Sequence, residues 1–233
     1  MLILGIETAT DRVGAALVDH VGVLAETHLL GGRRHAEALG PTIEFLMAQA
    51  DRRPQDLAAI AVDVGPGLFT GLRVGLAHGK AMAHALAIPM LGVPSLDLVA
   101  FPLRYGDKRV VSVIDARRGE VYWATYWPVP GGVQREGEHR IGAPEQLVSE
   151  LTADPADTLL VGDGAHRYDN VFGGIDHVEF ADPALSRPSA SSLVQLAHPQ
   201  AMREEFVDQH EIEPLYLRRP DAEINWVTRN DQG

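Results

Sequence analysis

The chain has 233 residues, 45% of them hydrophobic and 22% charged, so it is long enough to bury a core in one large or two small domains, and a globular chain is expected. Its 20 Lys and Arg against 32 Asp and Glu leave a formal charge of −12, which opposes direct, extensive binding to a nucleic-acid backbone. The absence of cysteine excludes disulfides, zinc–thiolate sites and cysteine nucleophiles, no apolar run approaches the roughly 20 residues of a membrane span, and the opening segment through Glu7 has no basic lead, so a cytoplasmic protein is expected.

Leu2 to Ile6 has the pattern of a buried strand, and Val13 to Val18 that of a second, joined by the polar turn Thr8 to Arg12 as a hairpin. Leu39, Ile43, Leu46, Met47 and Ala50 follow at helical spacing, with Pro41 expected to kink or delay that helix. Next, an apolar strand runs into Gly65-Pro66-Gly67 and launches a helix whose Gly67, Gly71, Gly75, Gly79, Ala83 and Ala87 recur every fourth residue. One face of that helix is almost bare. Glycine inside a helix costs about 1 kcal/mol relative to alanine, so something must pack closely on this face, either the protein's own sheet or a partner helix, with a phosphate at the glycine turn as a further reading. Ile88 to Val93 is another short strand.

Around Val110 the pattern restarts. At an offset of 108 residues Ile3 falls on Val111, Ile6 on Ile114, Glu7 on Asp115 and Val13 on Val121, so the hairpin is repeated. Thr158 to Ala165 repeats the strand and glycine turn of Ala61 to Gly67, and Ser189 caps a helix running to Ala197. Two related halves imply mixed α/β domains, each a sheet covered by helices, with a boundary near Pro102 to Lys108.

Ile6-Glu-Thr-Ala-Thr10, Arg33-Arg-His35-Ala-Glu37, Gly65-Pro-Gly-Leu-Phe-Thr-Gly-Leu-Arg73, the run from Ile114 to Trp123, Gly162-Asp-Gly-Ala165 and Pro214-Leu-Tyr-Leu-Arg218 together resemble the TsaB family, also called YeaZ. The resemblance implies two duplicated ribonuclease-H-like domains of the actin-like ATPase superfamily, over 1–104 and 105–219, with the last helix free to pack back on the first domain and 220–233 as a variable tail. It also implies a non-catalytic scaffold in the synthesis of N6-threonylcarbamoyladenosine on transfer RNA. In that family the protein pairs with its catalytic relative TsaD, TsaE joins the pair, the scaffold forms a homodimer when alone, and tRNA is reached only through the complex.

The residues bear on that reading. The catalytic relative carries a His-x-x-x-His metal motif where this chain has Ser95 and Val99, which cannot make the same site. His35 and Glu37 resemble half of a metal motif, but Leu39 stands where a second ligand belongs, so a capping or packing role is expected and no metal or cofactor is. His78 and His84 are six apart and do not share a helical face, and Gly75 to Lys80 fails as a Walker A loop. Glu7, Thr8, Gly65, Gly67, Asp163 and Gly164 occupy the places of a vestigial phosphate site, with tight turns as the plain alternative. The partner interface is expected on the helices from about His35 to Ala50 and Gly71 to Ala87, through Leu39, Ile43, Gly71, Leu72, Gly75, Leu76, Gly79 and Ala83. The alternatives are a small-molecule kinase or ATPase of the same fold, a metalloprotease, for which ligands are lacking, and direct tRNA binding, for which Arg33-Arg34, Arg52-Arg53 and Arg117-Arg118 are only short pairs.

Overall fold

The computed structural model describes residues 1–30 and 34–218; the expected tail over 220–233 lies outside them. The first sheet is built from β1 (Ile3–Glu7), β2 (Arg12–Val18), β3 (Val23–Leu30), β4 (Ala59–Gly65) and β5 (Met90–Pro94), in the order β3-β2-β1-β4-β5. The second uses β6 (Arg109–Arg117), β7 (Glu120–Val129), β8 (Gly132–Gly142), β9 (Thr158–Val161) and β10 (Val178–Phe180), in the order β10-β9-β6-β7-β8. Reversed, the second order is that of the first, strand for strand. In both, the first three strands form an antiparallel meander, and the fourth and fifth add in parallel.

The central strand β1 is buried on both sides, so it is a continuous apolar run rather than an alternating one. Leu4 and Ile6 point to one face and meet Leu39, Ile43, Leu46 and Met47 of α1 (His35–Gln49) and Leu76 and Ala83 of α2 (Phe69–Leu86). Ile3 lies on the opposite face with Leu193, Val194 and Ala197 of α7 (Ala190–Met202). Ser189 caps α7 by accepting from the Ser192 N–H.

On the second sheet, Val111, Val113 and Trp123 pack under α4 (Pro144–Ala153), α5 (Asp163–Arg167) and α6 (Asp169–Phe172). The other face, with Val110, Ile114 and Tyr126, is covered by Leu96, Val99 and Ala100 of α3 (Ser95–Ala100). The halves have therefore exchanged helices: α3 from the first covers the second sheet, and α7 from the second covers the first. All strands of each sheet fall on one side of position 104, but neither core is complete without the other half.

Three local features differ from the sequence expectations. Pro41 sits inside α1 without interrupting it; its exposed ring lies on the solvent side. The edge strands β3 and β8 have no clear apolar alternation, being half-exposed and, in β8, carrying the charges of Arg135, Glu136, Glu138 and Arg140, as suits strands that must not pair with other chains. The repeated hairpin also closes differently: Glu7 pairs with Gly14 across the six residues Thr8 to Val13, whereas Asp115 pairs with Val121 and Arg117 with Glu120 around Arg118-Gly119. The gapless sequence repeat thus hides a one-residue change of register.

Candidate functional site: a closed cleft and an apolar helix groove

The ends of β1, β4 and β5 bring together Glu7, Asp63 and Ser95, because Ile6 pairs with Val62 and Asp63 with Val93. Asp63 Oδ1 accepts from the Gly65 N–H at 2.8 Å and the Ser95 hydroxyl at 2.6 Å, while Glu7 Oε1 accepts from the Ala9 N–H at 2.8 Å. Glu7 Oε2 and Asp63 Oδ2 are buried without a hydrogen-bond partner. Burial pushes Glu7 well above the usual carboxylate range, with the neighbouring Asp63 charge adding to it. Burial also lifts Asp63 to about 7, against the hydrogen bonds from Ser95 and Gly65.

Beside Glu7, the glycines of α2 clasp the β1–β2 loop. Thr8 Oγ1 donates to the Gly71 carbonyl at 2.8 Å, and the Leu68 N–H donates to the Ala9 carbonyl at 2.7 Å. A Cβ on Gly67 would collide with the Ala9 carbonyl, one on Gly71 with the Thr8 carbonyl, and one on Gly75 with the Thr8 hydroxyl. Lower on the helix, a Cβ on Gly79 would press on Val62 at 2.7 Å. The bare face is therefore spent inside the fold.

This corrects the interface expected from the sequence. Leu39, Gly71, Leu72, Gly75, Leu76, Gly79 and Ala83 are all buried, the glycines against the Thr8 turn and the ends of β1 and β4, and so offer no outer surface. Only Ile43 of that set also lines a surface feature. It shares an apolar groove between α1 and α2 of about 420 Å³ with Met47, Ala48, His78 and Met82. Gly40 faces the His78 ring there, a Cβ on it lying 3.9 Å from the ring, and Phe45 stands 58% exposed on α1. An exposed phenylalanine among helix-forming residues was the signal for this face.

The vestigial phosphate positions divide between the halves. Glu7, Thr8, Gly65 and Gly67 lie on the first, and Asp163 and Gly164 on the second, where Asp163 Oδ1 accepts from the Asp115 N–H at 3.0 Å. Between them the cleft lined by Ala9, Asp11, Leu68, Asp115 and Asp163 measures about 20 Å³, room for little more than a water. Nucleotide pockets need several hundred Å³. Arg187 closes the cleft by a forked pair with Asp11 at 2.8 and 3.2 Å. As arranged, these six residues do not form an open phosphate cradle; glycines 65, 67 and 164 serve close packing.

His35 is a buried packing residue whose Nε2 lies 2.8 Å from the Thr10 carbonyl. Val99 is in the core and Ser95 is engaged with Asp63, so neither position of the histidine pair offers a ligand. The Pro214 to Arg218 motif is a strap across both sheets. Leu215 N–H donates to the Val64 carbonyl at 2.7 Å, Tyr216 accepts from Arg73 at 3.1 Å, and Arg218 donates to the Ala116 carbonyl at 3.0 Å. Among the described residues no helix is long and apolar enough to cross a membrane.

A duplicated five-stranded sheet with one strand order and an interdomain cleft at the ends of β1, β4, β6 and β9 defines a two-domain ribonuclease-H-like protein of the actin-like ATPase class. A family model described as TsaD: tRNA N6-adenosine threonylcarbamoyltransferase matches residues 29–226. The chain belongs to that family, and within it is similar to the TsaB (YeaZ) proteins. It is 29% identical to the tRNA threonylcarbamoyladenosine biosynthesis protein TsaB of Bacillus subtilis over 97% of this chain and 98% of the relative. An uncharacterized protein of Mycobacterium tuberculosis is 38% identical over 94% of this chain and 93% of its own length. The solved structure of YeaZ from Pseudomonas aeruginosa superposes with a TM-score of 0.79 at 30% identity, covering 93% of this chain and 99% of that one.

Proposed function

We propose that this chain is the non-catalytic scaffold subunit for N6-threonylcarbamoyladenosine synthesis on tRNA, holding the catalytic TsaD subunit, with TsaE joining the pair in the cytoplasm. The role in tRNA threonylcarbamoyladenosine biosynthesis follows the TsaB relatives. The observation that carries the docking part is the groove between α1 and α2, an apolar trough of about 420 Å³, together with the exposed Phe45 elsewhere on the outer side of α1. Two antiparallel helices of a partner fill such a trough by knobs-into-grooves packing, and a second copy of this chain occupies it when the partner is absent. The non-catalytic part is supported by the chemistry at the strand ends, where Glu7 and Asp63 are sealed from solvent and Ser95 and Val99 replace metal-binding histidines.

The test is co-purification. Phe45→Glu and Ala48→Glu lie on the outer face of α1, so each is expected to abolish recovery of TsaD and to shift any homodimer to monomer, while far-ultraviolet circular dichroism is unchanged. Retention of the complex by both variants places the interface elsewhere. Turnover by the purified chain alone would remove the scaffold assignment.

A further inference from the structure

The chain carries a formal charge of −12, yet the mouth of the closed cleft presents arginines outward and carboxylates inward. Arg117 Nη1 lies 3.0 Å from Asp115 Oδ2, and Arg167 Nε, at the end of α5, lies 3.5 Å from the same oxygen. The two arginine side chains are 52% and 57% exposed, and the Asp115 side chain between them is 2% exposed. Arg187 joins this rim through Asp11, and Arg118 is exposed at the hairpin tip.

Local backbone strain accompanies the arrangement. Arg117 and Arg118 both adopt left-handed conformations, φ 64° and 58°, which costs non-glycine residues about 1 kcal/mol each and here turns two consecutive guanidinium-bearing side chains around the tip. A tight hairpin needs no arginine at either position. Guanidinium groups fixed from below by a buried carboxylate lose little entropy when they take a second anion from above. The cleft beneath, at about 20 Å³, admits no nucleotide, so the anion reaches this rim from outside.

We propose that the rim formed by Arg117, Arg118, Arg167 and Arg187 contacts the phosphodiester backbone of RNA, supplying phosphate contacts for tRNA on the assembled complex. The choice of tRNA rests on the function proposed above; the rim itself does not. It lies at the interdomain cleft, apart from the α1–α2 groove. Three or four phosphate contacts do not overcome the charge of the whole chain, so these groups add to binding by a partner rather than replace it.

The experiment is a salt series of tRNA binding to the complex of this chain with TsaD, using a tRNA transcript as probe. Arg118→Gln/Arg167→Gln is expected to weaken binding three- to tenfold at low salt and to make the slope of log affinity against log salt shallower by about 1 to 2. Arg118→Lys/Arg167→Lys keeps the charge and is expected to keep the slope, which separates lost phosphate contacts from a disturbed fold. Unchanged affinity and slope in the glutamine variant overturns the inference, as does equal binding of free ATP in competition with the transcript. If the unmodified chain forms no complex with TsaD, the proposed function fails, and the rim is then decided by ultraviolet cross-linking of the transcript to this chain alone at low salt, where even a weak contact is read: cross-links that the glutamine variant leaves undiminished overturn the inference.

Discussion

Thr8 and Gly71 are locked to each other: the threonine hydroxyl donates to the glycine carbonyl at 2.8 Å, and the threonine carbonyl fills the space that a side chain on residue 71 would need. In an exposed helix, Gly→Ala gains about 1 kcal/mol. Here the sign is reversed, because the obstacle at Gly71 is backbone, which cannot rotate away. Gly71→Ala is expected to lose about 2–4 kcal/mol in denaturant unfolding, and Gly75→Ala, whose obstacle is the Thr8 side-chain hydroxyl rather than backbone, somewhat less. A stabilised Gly71→Ala protein would mean that the bare face is not spent on the Thr8 turn.

The buried pair Glu7 and Asp63 sets a pH dependence. Both carboxyls are raised above their unfolded values, so the folded state holds more protons than the unfolded chain, for Asp63 between roughly pH 4 and 7. The Asp63 contribution is present at low pH and is lost as pH rises through about 7, and Glu7, also raised, acts in the same direction. Asp63→Asn keeps an acceptor for Gly65 and Ser95 without the charge. It is expected to be more stable than the unmodified protein at pH 8 by on the order of 2 kcal/mol, with the difference shrinking toward pH 5. Melting curves of both proteins across that range check this, and a constant offset would refute it.

Leu193 and Val194 belong to the second half of the sequence but fill the core of the first sheet. Leu193→Ala is expected to cost about 2–5 kcal/mol, and hydrogen exchange should rise in β1 and β2 rather than in β6 and β7. Faster exchange confined to the second sheet would contradict the helix exchange between halves.

Much of the architecture was legible from residue order. The double strand order follows from a repeat that aligns Ile3 with Val111 and Glu7 with Asp115, and the buried strands announce themselves as apolar runs. The edge strands did not, because β3 and β8 are half-exposed and carry no periodic signal. The candidate surface was half legible: the helices that border it were identified, but the face was not.

Sequence by itself determined the duplication, the sheets covered by helices, the absence of histidine ligands at positions 95 and 99, and the demand that something press against Gly71, Gly75 and Gly79. Tertiary structure alone decided what presses there. A stripe repeating every fourth residue states only that backbones meet, and the same stripe fits an internal loop or an external helix. Which one closes on it depends on strand register and on the Thr8 turn reaching across from β1, and so do the burial of Glu7 beside Asp63 and the arrival of Arg167, far along the chain, beside Asp115 and Arg117.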